Sequence, residues 1–285
     1  MKFNEQRAFD VAKELKNAYE KKEKLFSLDI KTPESILPEG INSQEEHAKY
    51  LFFLGIATYK DKSERVFEKG REMYKKNPEL FDPKFIRENY NADSLTDKIY
   101  SGLGHPFYRQ IAENWYYSSK KLTEYDDNPL NIFNGTKDVN VGLKKLYKFN
   151  GFSTKIGNLL AAWYHKYDLV DIENIYELKI PVDSHVATIS IGQEILEMEK
   201  PLRREKVAKF LQNNYLKFFR EHLGFDPIEF QENMWIVGAY NCNKKVCRTL
   251  CPLEEPCKMT IDKGLFYKKA IVRPITIKPV QETPF

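Results

Sequence analysis

The chain has 285 residues, with 45 basic and 41 acidic side chains, and its formal net charge of +4 is too small to establish nucleic-acid binding by itself. The mean hydropathy of -0.58 and the lack of any apolar run of about 18 residues argue against a membrane partner. Because the charged N-terminus lacks the apolar segment of a signal peptide, we expect a cytoplasmic protein. A chain of this size can form one large domain or two modest ones.

Helical periodicity dominates the sequence, and we therefore predict an all-α fold. Ser43 and Glu46 have the spacing of a capping box, and Asp82 followed by Pro83 is typical of a helix start. Residues 29–42 break the pattern and are predicted to connect an N-terminal helix to the main helical body. Beyond the helix that the capping box starts, helices are predicted at 4–24, 62–76, 94–102, 107–124, 139–148, 154–166, 184–199, 202–222 and 227–240.

Two of these helices, 139–148 and 154–166, are joined by a short turn at Gly151. This pattern predicts a helix–hairpin–helix. Backbone N–H groups in such a turn and at the start of the following helix can bind a DNA phosphate without reading the base sequence. We therefore predict DNA contacts at Gly151, Phe152 and Ser153, with an ordinary helical corner as the alternative.

Lys155 and Asp183 are the candidate catalytic side chains. Lys155 lies in the first turn of a predicted helix, where the helix dipole disfavours a cation by about 0.3–1 kcal/mol and so favours the neutral, nucleophilic amine. Asp183 precedes a helix in the position of an N-cap, where N–H donors keep a carboxylate ionised. Such a carboxylate could activate a neutral lysine and stabilise positive charge on a sugar ring. The alternatives are a solvated lysine and an aspartate that only caps its helix.

All four cysteines lie in one stretch, Cys242-x4-Cys247-x3-Cys251-x5-Cys257. Thiolates this close together can converge on one metal centre, and a single compact run with unequal gaps favours a [4Fe–4S] cluster. A four-thiolate zinc site and two disulfides are the alternatives. A local basic patch surrounds the cysteines and could meet phosphates; its members are Lys244, Lys245, Arg248, Lys258, Lys263, Lys268 and Lys269. Lys244, Lys245 and Arg248 are the predicted DNA-binding residues among them.

The chain resembles the endonuclease III branch of the helix–hairpin–helix DNA glycosylases. The segments that carry the resemblance are LFFLGIATYKDKSERV, FYRQIAENWYYSSKKL, NGFSTKIGN, PVDSHV and MWIVGAYNC with the cysteine run, and together they cover roughly residues 45 to 260. The resemblance implies a base-excision glycosylase with AP lyase activity. It implies that Lys155 is the Schiff-base lysine, that Asp183 is the catalytic aspartate and that the four cysteines bind a [4Fe–4S] cluster.

The resemblance also implies two helical domains. The expected segments are an N-terminal helix and connector at 1–44 that packs on the cluster domain, a six-helix barrel domain at 45–175 with the hairpin at 139–166, a cluster domain at 176–263 with the cluster loop at 242–257, and an extended tail at 264–285. Prolines at 274, 279 and 284 prevent a helix in that tail.

The expected partner is double-stranded DNA that contains a modified or damaged base, bound by a monomer. Extruding that base requires side chains that replace the lost stacking, and the candidates are Thr58, Tyr59, His105 and Phe107.

The chain departs from the family pattern in three places. Ser153 stands where the family hairpin usually has a second glycine, the interval of 28 positions between Lys155 and Asp183 is longer than usual, and the cysteine gaps differ. These departures leave the excised base open. A monofunctional glycosylase in which Asp183 activates water is the enzymatic alternative, and a non-catalytic nucleic-acid-binding module is the alternative from a different class.

Overall fold

The computed structural model describes residues 1–58, 60–199, 202–242 and 250–253, together with the backbone of 259–260 and 273–274. Eleven α-helices account for most of these residues, which confirms the predicted all-α class. None of the helices in the described part of the chain has the length and apolar character needed to cross a membrane.

The elements follow one another in a simple order. The helices are α1 (Glu5–Glu20), α2 (Gln44–Ala57), α3 (Ser63–Lys76), α4 (Pro83–Asn89), α5 (Ala92–Leu103), α6 (Tyr108–Lys121), α7 (Val139–Leu146), α8 (Thr154–Lys166), α9 (Ser184–Gly192), α10 (Arg204–Glu221) and α11 (Pro227–Ile236). Helix α11 continues directly into a π-helix, Val237–Cys242. Strand β1 (Lys2–Phe3) pairs antiparallel with β2 (Leu196–Glu197), and β3 (Met259–Thr260) pairs antiparallel with β4 (Arg273–Pro274).

Side-chain caps start several helices where the sequence predicted them. At the start of α2 the Glu46 N–H donates to Ser43 Oγ at 3.1 Å, and Glu46 Oε2 accepts from the Ser43 N–H at 3.1 Å, so the capping box is confirmed. At the start of α4, Asp82 Oδ1 accepts from the Lys84 N–H at 2.7 Å, and a proline is the first helical residue. Each cap satisfies an N–H that the helix itself cannot.

Helix α9 is shorter than predicted. The sequence predicted a helix over 184–199, whereas α9 ends at Gly192. Glu194 has a left-handed backbone with φ of 58°, through which an α-helix does not continue, and β2 then pairs with β1. The prediction was wrong because the pairing strand lies at the opposite end of the sequence.

The chain folds as two compact units. The terminal unit consists of 1–30, 182–225 and 229–285, and the hairpin unit consists of 31–181 and 226–228. In the terminal unit the apolar faces of α1, α9 and α10 form the core. Tyr215 is fully buried there, with its hydroxyl 2.7 Å from Ser190 Oγ and its ring edge-on to Phe3.

Helix α2 is the centre of the hairpin unit. Its side chains from Tyr50 to Ala57 are buried on every face of the helix. Phe53 stacks on Trp115 with ring centroids 4.8 Å apart, and the Trp115 indole N–H donates to the Leu80 carbonyl at 2.9 Å. Because α2 is enclosed by its neighbours, the position of every helix end that contacts it is closely constrained.

Candidate DNA-binding hairpin and catalytic residues

The two helices predicted at 139–148 and 154–166 are confirmed as α7 and α8. The turn between them contains Gly151 with φ of 89°, a backbone conformation that residues other than glycine rarely adopt. A Cβ at this position would lie 3.0 Å from Ile56 Cγ2 and 3.2 Å from Asn114 Nδ2. Both the backbone conformation and the close approach therefore require glycine.

Ser153 starts α8 as its N-cap, and Ser153 Oγ accepts from the Ile156 N–H at 3.4 Å. Ser153, Thr154 and Lys155 are exposed. The first N–H groups of an α-helix have no partner within the helix and carry its positive end, so the start of α8 is suited to an anion at the surface.

Phe152 has a different position from its neighbours in the turn. Its side chain is buried in the core, where its ring lies 4.8 Å from that of Phe52. Its N–H donates to the Phe149 carbonyl at 3.3 Å. Phe152 therefore anchors the turn, whereas Gly151 is partly exposed and Ser153 is exposed.

The segment after α8 holds the start of α7, a role that sequence reasoning missed. Asn174 Oδ1 accepts from the Val139 N–H at the start of α7 at 2.8 Å, and Asn174 Nδ2 donates to Asp138 Oδ1 at 2.8 Å. This hydrogen bond lowers the pKa of Asp138. Lys137 Nζ lies 2.8 Å from carboxylate oxygens of both Asp171 and Glu173, and these hydrogen bonds raise the pKa of Lys137.

Asn158 links α8 to the segments that precede and follow this helix in the sequence. Its Nδ2 donates to the Tyr147 hydroxyl and to the Thr154 carbonyl, both at 2.7 Å, and its Oδ1 accepts from the Lys179 N–H at 2.8 Å. The side chain is 2% exposed. A buried asparagine inside a helix is unfavourable unless its amide has partners, and this is the signal that could have indicated the role of Asn158 from the sequence.

The two candidate catalytic residues belong to different units. Lys155 is the second residue of α8 in the hairpin unit, and no acidic residue lies in the first turn of that helix. In the terminal unit, Asp183 caps α9, and its Oδ1 accepts from the N–H groups of His185 at 2.8 Å and Val186 at 3.0 Å. The predicted N-cap at Asp183 is therefore confirmed.

Thr58 and His105, two of the four base-extrusion candidates, are engaged in the fold. Thr58 Oγ1 donates to the Gly55 carbonyl at 2.7 Å at the end of α2. His105 is fully buried, its Nδ1 accepts from the Phe107 N–H at 3.0 Å, and its Nε2 lies 3.6 Å from Asp61 Oδ2. A ring in this position supports its loop and does not offer a surface on which a base could stack.

Phe107, the third base-extrusion candidate, lies at the surface. Its side chain is 42% exposed, and its ring centroid lies 5.3 Å from Lys60 Nζ. Asp61 and Arg65 form an ion pair beside this loop. Although burial raises the pKa of Asp61, the hydrogen bonds from Arg65 and the Lys62 N–H hold the pKa below its ordinary value. Tyr59, the fourth candidate, lies outside the described residues.

Two of the four predicted metal ligands, Cys242 and Cys251, lie within the described residues. Both are half-buried, and Cys242 is the last residue of the π-helix. The Leu25 N–H donates to the Leu250 carbonyl at 3.0 Å, which ties the residue before Cys251 to the N-terminal part of the terminal unit. The remaining predicted residues of this region, Cys247, Cys257, Lys244, Lys245 and Arg248, lie outside the described residues.

No protein-family model matches the chain, and no curated protein matches its sequence.

We predict that Asn158→Leu lowers the free energy of unfolding by about 1–3 kcal/mol, since a similar volume is kept while the partners of the amide in α8 and around it lose their hydrogen bonds. Denaturant unfolding followed by circular dichroism measures the change. Asn89→Leu is the matched control, because Asn89 is exposed and its amide donates only to the Phe85 carbonyl of its own helix. Equal effects of the two substitutions would contradict the role assigned to Asn158.

Proposed function

We propose that the chain is a bifunctional DNA glycosylase with AP lyase activity, acting inside the cell as a monomer on double-stranded DNA that contains a modified or damaged base. The observation that carries the proposal is the start of α8. There a turn that requires glycine, an exposed N-cap at Ser153 and an exposed lysine, Lys155, follow one another within five residues. This arrangement combines a phosphate-binding helix end with an amine positioned beside it.

In the proposed reaction the target nucleotide is extruded from the duplex and Lys155 acts as the nucleophile. A bond forms between Lys155 Nζ and the anomeric carbon of the sugar, the glycosidic bond breaks, and the base leaves with its bonding electrons and takes up a proton. Loss of the amine proton and opening of the sugar give a Schiff base. Abstraction of a sugar proton then expels the 3′ phosphate by β-elimination, which cleaves the strand.

Asp183 has two roles in this proposal. Its carboxylate accepts hydrogen bonds from two backbone N–H groups at the start of α9. An ionised carboxylate assists deprotonation of Lys155 and stabilises the positive charge that develops on the sugar as the base departs. Residues Cys242, Cys247, Cys251 and Cys257 would bind a [4Fe–4S] cluster, and Lys244, Lys245 and Arg248 would meet DNA phosphates. When bound, the cluster supplies structure to this loop and takes no part in the chemistry on the base.

Lys155→Gln tests the nucleophile. We expect strand cleavage and borohydride trapping on lesion-containing DNA to disappear while DNA affinity stays within about threefold, because glutamine keeps a polar side chain of similar length and removes only the amine. Lys166→Gln is the control. Lys166 is the last residue of the same helix, at about 1.5 Å per residue roughly 16 Å from the site, and the substitution leaves trapping unchanged.

The same assay separates the alternatives. If Lys155→Gln still releases the base at a near-normal rate, the enzyme is a monofunctional glycosylase that uses a water molecule as nucleophile. If the wild-type protein neither releases a base nor forms a trapped complex across a broad panel of lesions, the chain is a nucleic-acid-binding module.

Asp183→Asn is expected to slow base release by at least about 100-fold, which corresponds to ~3 kcal/mol, because the cap geometry survives while the negative charge is lost. Single-turnover excision measures the rate. Asp138→Asn is the matched control, since Asp138 caps α7 through the Asn140 N–H at 2.8 Å in the same way and has no proposed catalytic role. The Lys155→Gln/Asp183→Asn double variant should be little slower than the slower single variant, and additive losses would mean that the two residues act independently.

Gly151→Val is expected to weaken binding to all DNA sequences alike and to flatten its salt dependence, by a slope of about one for each phosphate contact that is lost. The added side chain would collide with Ile56 and Asn114 in a backbone conformation that valine avoids. Gly135→Val provides the control, because Gly135 also has a positive φ, of 76°, but no described residue other than its two chain neighbours comes within 4 Å of its Cβ position. A change in affinity confined to particular base sequences would contradict a phosphate contact.

A further inference from the structure

Two asparagines near the end of α11 carry buried amide groups. Asn233 is 1% exposed and Asn241 is 0% exposed. Neither the Nδ2 nor the Oδ1 atom of either side chain has a hydrogen-bond partner among the residues that the structure describes. Buried polar groups in proteins are nearly always paired, so two unpaired amides on one element indicate a ligand that completes them.

The π-helix places these two amides on the same face. In a continuous α-helix, residues eight positions apart are rotated by about 80° relative to each other. Here the chain passes from α11 into the π-helix between them. One α-turn of about 3.6 residues and one π-turn about a residue wider together make roughly eight residues, so Asn241 lies two full turns from Asn233 on the same side.

Close packing explains why this geometry is retained. The first turn of the π-helix contacts α9, and a Cβ on Gly238 would lie 2.4 Å from His185 Cβ. The neighbours Met234, Ile236 and Val237 are buried apolar residues, an environment in which asparagine is costly without a partner. Cys242 immediately follows Asn241 and is half-buried.

We propose that Asn233 and Asn241 donate their side-chain N–H groups to sulfur atoms of the iron–sulfur cluster that Cys242 helps to bind. The inference rests on the cluster in the proposed function. Sulfide and thiolate are anionic acceptors, and the amide NH2 groups supply neutral donors in a site that excludes water. The chemistry of the neighbouring residue, a thiol at the end of the same helix, fits such a centre and identifies the ligand class.

The proposed hydrogen bonds would change the reduction potential of the cluster. Reduction adds negative charge to the cluster, and N–H donors directed at its sulfur atoms stabilise that charge. Asn233 and Asn241 are therefore expected to raise the reduction potential of the cluster. They would also slow its loss, because an exposed or poorly hydrogen-bonded sulfur is more readily attacked.

The experiment uses the full-length protein and compares wild type with Asn233→Leu, Asn241→Leu and the control Asn214→Leu. Asn214 lies on α10, where its amide donates to the Phe210 carbonyl at 2.8 Å. Iron and sulfide content, midpoint potential and the rate of iron loss in air are measured, with far-UV circular dichroism as the check on folding. We expect about four irons per wild-type chain. Both Asn233→Leu and Asn241→Leu should lower the potential and lose iron several-fold faster, whereas Asn214→Leu should match wild type.

A second measurement does not depend on a folded variant. Wild-type protein labelled with ¹⁵N only at asparagine is brought to the paramagnetic state of the cluster, and pulsed electron paramagnetic resonance should detect a ¹⁵N coupling. An absent coupling, or variants with lower thermal stability but an unchanged potential, would overturn the inference and assign the two residues a purely structural role.

The outcomes for the inference and for the proposed function are distinct. If the protein contains the cluster and excises bases while the asparagine variants keep the wild-type potential, the inference fails and the glycosylase proposal stands. If the potentials shift but no base is excised, the inference stands and the glycosylase proposal fails. Wild-type protein that contains zinc or no metal overturns the inference directly.

Discussion

The contact between the hairpin turn and the buried helix α2 is the constraint on which the candidate site depends. Gly151 lies so close to Ile56, in the last turn of α2, that only a hydrogen atom fits between them without displacement. Phe152 then packs on Phe52 one turn earlier in the same helix. Since α2 is enclosed on all sides, these contacts determine where α8 begins, and with it the position of Lys155.

Local hydrogen bonding explains what could be predicted from the sequence. The caps at Ser43, Asp82 and Asp183 each involve an oxygen and N–H groups two or three residues away, so a short sequence window contains all the atoms that matter. The end of α9 was missed for the opposite reason. It depends on a strand pair with β1 and on the Arg7 guanidinium, which donates to Gln193 from the other end of the sequence.

The same contrast between local and distant contacts applies to the candidate site. The position of Lys155 in the first turn of α8 was predictable because the turn and the cap lie beside it in sequence. The support that Asn158 and Asn174 give to the hairpin was not predictable. Asn158 accepts a hydrogen bond from the Lys179 N–H, 21 positions away, and Asn174 accepts one from the Val139 N–H, 35 positions away. His105 likewise lies in a segment whose composition is typical of a surface loop, and only tertiary packing reveals that its ring is buried.

Departures from regular helix mark the segments to which chemistry is assigned. The helix predicted at 227–240 follows a period of 3.6, and a pattern with that period contains no signal for a wider turn. The π-helix at its end is such a turn, and the left-handed Gly151 is another local cost. Proteins retain unfavourable backbone conformations of this kind where the surrounding contacts hold them in place. Contacts with α2 do so at Gly151, and contacts with α9 do so at Gly238. Gly151 lies four residues before Lys155, and Cys242 is the last residue of the π-helix, so each irregularity lies close to a residue that the proposed function needs. Regular periodicity therefore identified the helical scaffold and the cap at Asp183, whereas Lys155 and Cys242 lie close to interruptions of that periodicity.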